Sequence, residues 1–68
     1  MTDNILTKRE KDVFILLANN LSTKDIAEEL NISEKTVRNH ISNAMQKLGC
    51  ITRASAVIEL IRLGEIIL

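Results

Sequence analysis

Residues 32–49 read Ile-Ser-Glu-Lys-Thr-Val-Arg-Asn-His-Ile-Ser-Asn-Ala-Met-Gln-Lys-Leu-Gly, and this stretch decides the fold. It predicts one amphipathic helix that begins after the N-cap residue Ser33 and ends at Gly49. At about 100° per residue, the apolar side chains fall on one face, which we expect to pack into the core. They are Val37, Ile41, Ala44, Leu48 and, at the margin of the face, Met45.

The opposite face of this helix is polar, and after Glu34 the helix contains no acidic residue. Amide, hydroxyl and basic side chains are the groups that read base edges in the DNA major groove. The solvated face of an ordinary amphipathic helix is the alternative interpretation, and this face alone does not exclude it. The polar face carries Lys35, Asn39, Ser42, Asn43 and Gln46, with Arg38 on its flank.

The length of 68 residues predicts one small domain covering 1–68, and we expect residues 1–5 to be disordered. Cys50 is the only cysteine, so the chain forms no internal disulfide. No apolar run approaches the roughly 20 residues of a membrane span, and the N-terminus lacks the regions of a signal peptide. These features predict a cytoplasmic protein without membrane contact.

The net charge is zero, but the charges are unevenly distributed along the chain. Residues 1–34 hold four basic and seven acidic residues, whereas residues 35–58 hold four basic residues and no acidic one. The acid-free block contains most of the central helix. Such a separation can attract phosphate locally while the whole molecule stays neutral.

Apolar residues recur at three- and four-residue spacings along almost the whole chain, which predicts an all-α fold. Thr7 and Glu10 have the spacing of a capping box, so a first helix is predicted to start at Thr7. We interpret residues 8–12 as its solvated first turn, because their charges alternate in sign. Residues 19–20, both Asn, favour the turn that follows.

A short second helix is capped by Ser22 or Thr23 and ends near Asn31. Only residues 31–33 separate it from the central helix, which is the connection of a helix-turn-helix unit. A fourth helix is predicted from Thr52 to about residue 63. Its apolar residues cover more than one stripe, so we expect a partner to cover part of it. The alternative is that these residues only close the protein's own core.

The chain also carries Leu-Thr-Lys-Arg-Glu at 6–10, Thr-Lys-Asp-Ile-Ala-Glu-Glu-Leu at 23–30, Ile-Ser-Glu-Lys-Thr-Val-Arg-Asn-His at 32–40 and Lys-Leu-Gly at 47–49. Together these motifs resemble the LuxR/GerE-type helix-turn-helix DNA-binding domain over residues 6–65. The resemblance implies four helices, with the third as recognition helix in the major groove and the fourth for dimerisation.

The resemblance also implies roles for individual residues. It implies base contacts by Arg38, Asn39 and Ser42, to which the polar face adds Asn43 and Gln46. Implied phosphate contacts are Thr23, Lys24, Lys35, Thr36 and Lys47, and we favour a phosphate or orienting contact over metal binding for His40, the only histidine. Expected dimerisation residues are Ser55, Ile58, Glu59, Arg62 and Ile66. Cys50 is expected to pack against the core, with a redox sensor as the alternative.

We therefore expect a sequence-specific transcription regulator that binds double-stranded DNA as a homodimer on two half-sites, with RNA polymerase as a further partner. No cofactor, metal or small-molecule ligand is expected, and the resemblance suggests a sporulation programme. The alternatives are a helical interaction module that does not bind DNA, the excised DNA-binding domain of a larger response regulator, and a sigma-factor domain. An enzyme is the most remote possibility, because the sequence offers no catalytic triad, metal cluster or phosphate loop.

Overall fold

The computed structural model describes residues 5–67, which contain four α-helices and no strand. The helices are α1 (Lys8–Ala18), α2 (Thr23–Leu30), α3 (Glu34–Leu48) and α4 (Arg53–Arg62). The predicted all-α fold is therefore confirmed. Of the segment expected to be disordered, residues 1–4 lie outside the described part, and Ile5 occupies a bend. None of the four helices is long and apolar enough to cross a membrane.

Each helix begins at a side-chain cap. Thr7 Oγ1 accepts a hydrogen bond from Glu10 N at 3.2 Å, and Glu10 Oε1 accepts one from Thr7 N at 2.9 Å, which completes the predicted capping box. Ser22, Ser33 and Thr52 cap the other three helices in the same sense. Because a cap contributes about 1 kcal/mol to helix stability, these four residues set where the helices start.

Each of the two helices of the helix-turn-helix unit ends at a residue in the left-handed backbone conformation. Asn31 follows α2 with φ 57°, and Gly49 follows α3 with φ 69°. Ile32 N donates to Ala27 O at 3.0 Å, so the turn closes back on α2 before Ser33 starts the next helix. The connection thus takes only three residues, and α2 and α3 are in direct contact.

The core lies around α3, which contacts each of the other three helices. Val37, Ile41 and Ala44 are buried, as predicted for the apolar face, and Met45 and Leu48 are partly buried. The largest side chains in the core come from all four helices: Phe14, Ile26, Leu60, Val13 and Val37. With its apolar face occupied along its length, α3 turns its other face outward.

A buried ion pair joins α1 to the C-terminal end of α3. Glu10 is 4% exposed, and its Oε1 lies 2.7 Å from Lys47 Nζ. Burial acts to raise the pKa of Glu10, but hydrogen bonds from Lys47 and Thr7 and the charge of Lys47 outweigh burial, so the pKa lies below its usual value. The prediction of a solvated first turn is therefore wrong for Glu10.

The C-terminal segment folds back onto the domain. Glu65 N donates to Leu60 O at 2.9 Å, and Glu65 Oε1 lies 3.5 Å from Lys11 Nζ. The turn places Ile66 in the core, where it is 2% exposed. This burial argues against the dimer contact expected for Ile66, because its side chain is already covered within one protomer.

Candidate nucleic-acid interface

The outward face of α3 is the polar surface that the sequence predicted. All five candidate base-reading residues are exposed: Arg38, Asn39, Ser42, Asn43 and Gln46. Within α3 the only acidic side chain is Glu34, in the first turn. The exposed face therefore presents amide, hydroxyl and guanidinium groups, which can donate to and accept from base edges.

The N-terminal ends of α2 and α3 lie next to each other beside this face. Thr23 Oγ1 donates to Glu34 Oε1 at 3.4 Å, which places the start of α2 against the start of α3. Lys24 and Lys35 are exposed at these two helix starts. Helix N-termini present free backbone N–H groups and a positive end of the helix dipole, so they attract phosphate. Thr36, also expected at phosphate, bonds through its Oγ1 to the Ser33 hydroxyl at 2.9 Å.

Glu34 is a functional candidate that the sequence reasoning left out of the site. Besides the bond to Thr23, its Oε1 lies 3.8 Å from Arg38 Nη1. It therefore lies between an expected phosphate contact and an expected base contact. The spacing of Glu34 and Arg38, four residues apart on a helix, is a signal that could have found this pair.

His40 and Lys47 flank the polar face on the side towards the core. His40 is partly buried, which fits an orienting role at the edge of the interface. Lys47 forms the ion pair with Glu10, and its side chain is 38% exposed. The phosphate contact expected for Lys47 stays a prediction, and a phosphate there would compete with this ion pair for the ammonium group.

A second surface, which we call the α4 patch, is apolar and exposed. Ile58 is 65% exposed, and Ile61 and Leu63 are also large exposed apolar residues. Arg62 Nη2 donates to Glu59 Oε2 at 2.8 Å, and this hydrogen bond raises the pKa of Arg62. The two charges beside the patch thus neutralise each other.

Other candidate chemistry is not assembled within residues 5–67. No group of three His, Cys, Asp or Glu side chains in this range is placed to hold a metal ion. Cys50 is partly buried and packs against the core cluster, which favours the packing interpretation over a redox sensor.

Known proteins resemble both the sequence and the fold. A family model described as bacterial regulatory proteins, luxR family, matches residues 4–60. The spore germination protein GerE of Bacillus subtilis is 66% identical over 62 residues, which cover 91% of this chain and 84% of that protein. The transcriptional regulatory protein DegU of Brevibacillus brevis is 48% identical over 90% of this chain, but the match spans only 26% of DegU.

A solved structure of the transcription factor GerE matches the fold with a TM-score of 0.90 and 59% sequence identity, covering 93% of this chain and 94% of that one. A TM-score of this size shows that the two chains share one fold. Transcription regulators are not a class of enzymes. The similarity to transcription regulators favours DNA binding over the alternative of an interaction module that does not bind DNA. The chain belongs to the luxR family of bacterial regulatory proteins and is a DNA-binding transcription regulator with a helix-turn-helix domain.

Proposed function

We propose that this protein binds double-stranded DNA as a homodimer, with α3 of each protomer in the major groove of one half-site. The observation that carries this proposal is the exposed polar face of α3, free of acidic residues after Glu34, on a helix whose other face is fixed in the core. A rigid helix presented by a tight turn suits the major groove, which admits one α-helix.

The side chains divide into base readers and phosphate contacts. Arg38 suits guanine and Asn39 suits adenine, because each can form two hydrogen bonds to one base. Ser42, Asn43 and Gln46 extend the reading face along the helix. Phosphate contacts position the protein without reading sequence, and we assign them to Thr23, Lys24, Lys35, Thr36 and His40.

The α4 patch supports the homodimer. Burying Ile58 and its apolar neighbours against a second copy contributes a gross stabilisation of about 25 cal/mol per Å² of apolar surface, which the entropy cost of association partly offsets. The Glu59 and Arg62 charges are already paired, so the dimer covers them at less desolvation cost than two free charges. Ser55 lies on the same helix and is exposed. A two-fold dimer of this kind predicts half-sites related by inversion, about one helical turn apart.

The proposal also covers the domain organisation, the cellular location and the protein partner. We take residues 1–68 as one DNA-binding domain that works in the cytoplasm, where bacterial DNA lies, and RNA polymerase as its protein partner. Resemblance to a spore germination protein supports a place in sporulation or germination gene expression.

The test is selection from random DNA duplexes by the purified protein, repeated at higher salt. We expect enrichment of an inverted repeat that survives the added salt, because base contacts persist when phosphate contacts are screened. Binding without enrichment would contradict base reading.

Two variants separate the proposed roles. Asn39→Ala is expected to relax preference at one base position in each half-site, at about 1–3 kcal/mol, while Lys35→Ala weakens binding to all sequences and leaves preference intact. An unchanged preference in Asn39→Ala would remove the assignment of that residue.

A further inference from the structure

Glu34 is the one acidic side chain of α3, and its carboxylate contacts both kinds of residue that are proposed to bind DNA. Its Oε1 accepts a hydrogen bond from Thr23 Oγ1 at 3.4 Å and lies 3.8 Å from Arg38 Nη1. Thr23 is a proposed phosphate contact, and Arg38 is a proposed base reader. Within residues 5–67, Arg38 is also the one proposed base reader that forms an ion pair. The carboxylate therefore faces a guanidinium group that is proposed to read a base.

A negative charge on a DNA-binding face weakens the attraction of that face for phosphate. The side chain of Glu34 is 47% exposed, so its charge is not removed from the interface by burial. An acid in the first turn also stabilises its helix through the helix dipole, as Asp25 does in α2. Asp25 is exposed and forms no ion pair with the described residues. Contact with a base reader is therefore what distinguishes Glu34 from Asp25.

The geometry of the pair restrains Arg38, whose side chain is 54% exposed. A long exposed side chain samples many rotamers, and ordering it on a base lowers the affinity. Glu34 precedes Arg38 by four residues, so the two side chains meet on one face of the helix. The guanidinium group has five N–H donors, and contact with the carboxylate leaves enough of them for two hydrogen bonds to guanine. DNA excludes water from the pair, which strengthens the attraction between its charges.

We propose that Glu34 is a positioning residue for base recognition, whose carboxylate orients the Arg38 guanidinium group towards a guanine edge and away from the neighbouring phosphates. This inference rests on the proposed function, in which Arg38 reads a base in the major groove. Without Glu34, Arg38 is free to contact phosphate on any sequence, so specificity falls while overall affinity is kept. A carboxylate can also accept a hydrogen bond from cytosine directly, and the experiment distinguishes that role from positioning.

The experiment measures the preference of the full chain for each base at every position of its selected operator, by competition between duplexes that differ in one base pair. The position read by Arg38 is the one at which Arg38→Ala loses preference. Glu34→Ala and Asp25→Ala form a matched pair, because each removes an exposed acid from the first turn of a helix. We expect Glu34→Ala to reduce preference at the Arg38 position at least about fourfold, because a well-oriented bidentate pair discriminates by about 5- to 150-fold. Asp25→Ala should change it less than about 1.5-fold, since a charge that contacts no base reader acts on all sequences alike.

A double-mutant cycle tests whether Glu34 acts through Arg38. In the Arg38→Ala background, Glu34→Ala should cause no further loss of preference at the Arg38 position. A loss at a different position that persists without Arg38 would assign direct base reading to Glu34 and overturn the proposal. Equal preferences in Glu34→Ala and Asp25→Ala would also overturn it, as would an Arg38→Ala protein that keeps the full operator preference of the wild type.

Urea denaturation of each variant separates positioning from a structural role. A structural role lowers stability and weakens binding to all sequences together, whereas positioning changes the preference between sequences. Should Glu34→Ala not fold, Glu34→Gln against Asp25→Asn gives the same comparison, because glutamine removes the charge and can still accept from Thr23 Oγ1. Failure of the wild-type protein to select any operator would overturn the proposed function itself, and the role of Glu34 with it.

Discussion

The unequal burial of the two side chains in the Glu10–Lys47 ion pair predicts that removing the Lys47 charge destabilises the fold more than removing the Glu10 charge. Lys47→Met removes the ammonium group, keeps most of the aliphatic stem, and strands a carboxylate whose side chain is 5% exposed. Glu10→Gln removes the buried charge itself, and the amide oxygen can still accept from Thr7 N. The Lys47 side chain is 38% exposed, so its ammonium group then returns to water. Lys47→Met should therefore be the more destabilising change.

The magnitude follows from the geometry. At the observed 2.7 Å, an effective dielectric constant of about 20 gives a gross attraction of about 6 kcal/mol. Desolvation of the carboxylate offsets several kcal/mol of this attraction, and Thr7 still supports the carboxylate after Lys47 is lost. We expect a loss of about 2 kcal/mol for Lys47→Met and about 1 kcal/mol for Glu10→Gln. A chain of this size has a total stability of about 3–10 kcal/mol, so both changes are measurable.

The assay is urea denaturation followed by circular dichroism at neutral pH. Lys35→Met is the matched control, because Lys35 is exposed on the same helix and forms no ion pair within the described residues. The control should change stability by less than about 0.5 kcal/mol. The reasoning is refuted if Glu10→Gln destabilises as much as Lys47→Met, or if Lys47→Met is no worse than the control.

The same structure predicts three further outcomes. The pKa of Glu10 in the folded protein lies below its ordinary value of 4.5, so the contribution of the Glu10–Lys47 pair to stability is complete above pH 4.5 and is lost as the pH falls through the lower pKa. Acid titration of unfolding should show this loss of stability, and the loss should be smaller in Lys47→Met. Gly49→Ala should lose about 1–2 kcal/mol in urea denaturation, because φ is +69° and the added Cβ meets no atom within 4 Å that could compensate. Ile58→Asp should sediment as a monomer with unchanged helical content, and a variant that still dimerises would contradict the proposed α4 patch.

Local signals made the helix boundaries predictable. The side chain of a cap residue accepts a hydrogen bond from a backbone N–H only three residues later. Thr7, Ser33 and Thr52 could therefore be assigned as caps from sequence alone. The left-handed stops at Asn31 and Gly49 are equally local, because these residue types tolerate positive φ.

Contacts between distant parts of the chain were not predictable in the same way. Glu10 and Lys47 are 37 residues apart, and neither residue carries a local sign of its partner. A helical wheel places Glu10 in a charged first turn, but only the packing of α1 on α3 shows that this turn is covered. Ile66 presents the same difficulty, since an apolar residue near the chain end suits either a dimer contact or the protomer's own core.

The sequence predicted which residues of α3 are exposed at the candidate interface, but it did not predict the hydrogen bonds and ion pairs between them. Exposure of Asn39, Ser42 and Gln46 follows from helical periodicity once the apolar face is fixed. The link from Thr23 to Glu34 depends on how α2 crosses α3, which the three-residue turn restricts without defining. The position of Glu34 between Thr23 and Arg38 therefore emerged only from the structure.

The zero net charge is compatible with DNA binding because charges act over a limited range. Three pairs cancel within the fold: Lys11 with Glu65, Lys47 with Glu10, and Arg62 with Glu59. The domain measures 32 × 24 × 21 Å, whereas salt screens exposed charges beyond about 8–10 Å. Phosphates at α3 thus respond mainly to the exposed basic groups nearby. The arrangement of charges, which the sequence total conceals, therefore lets the α3 surface attract DNA although the whole chain is neutral.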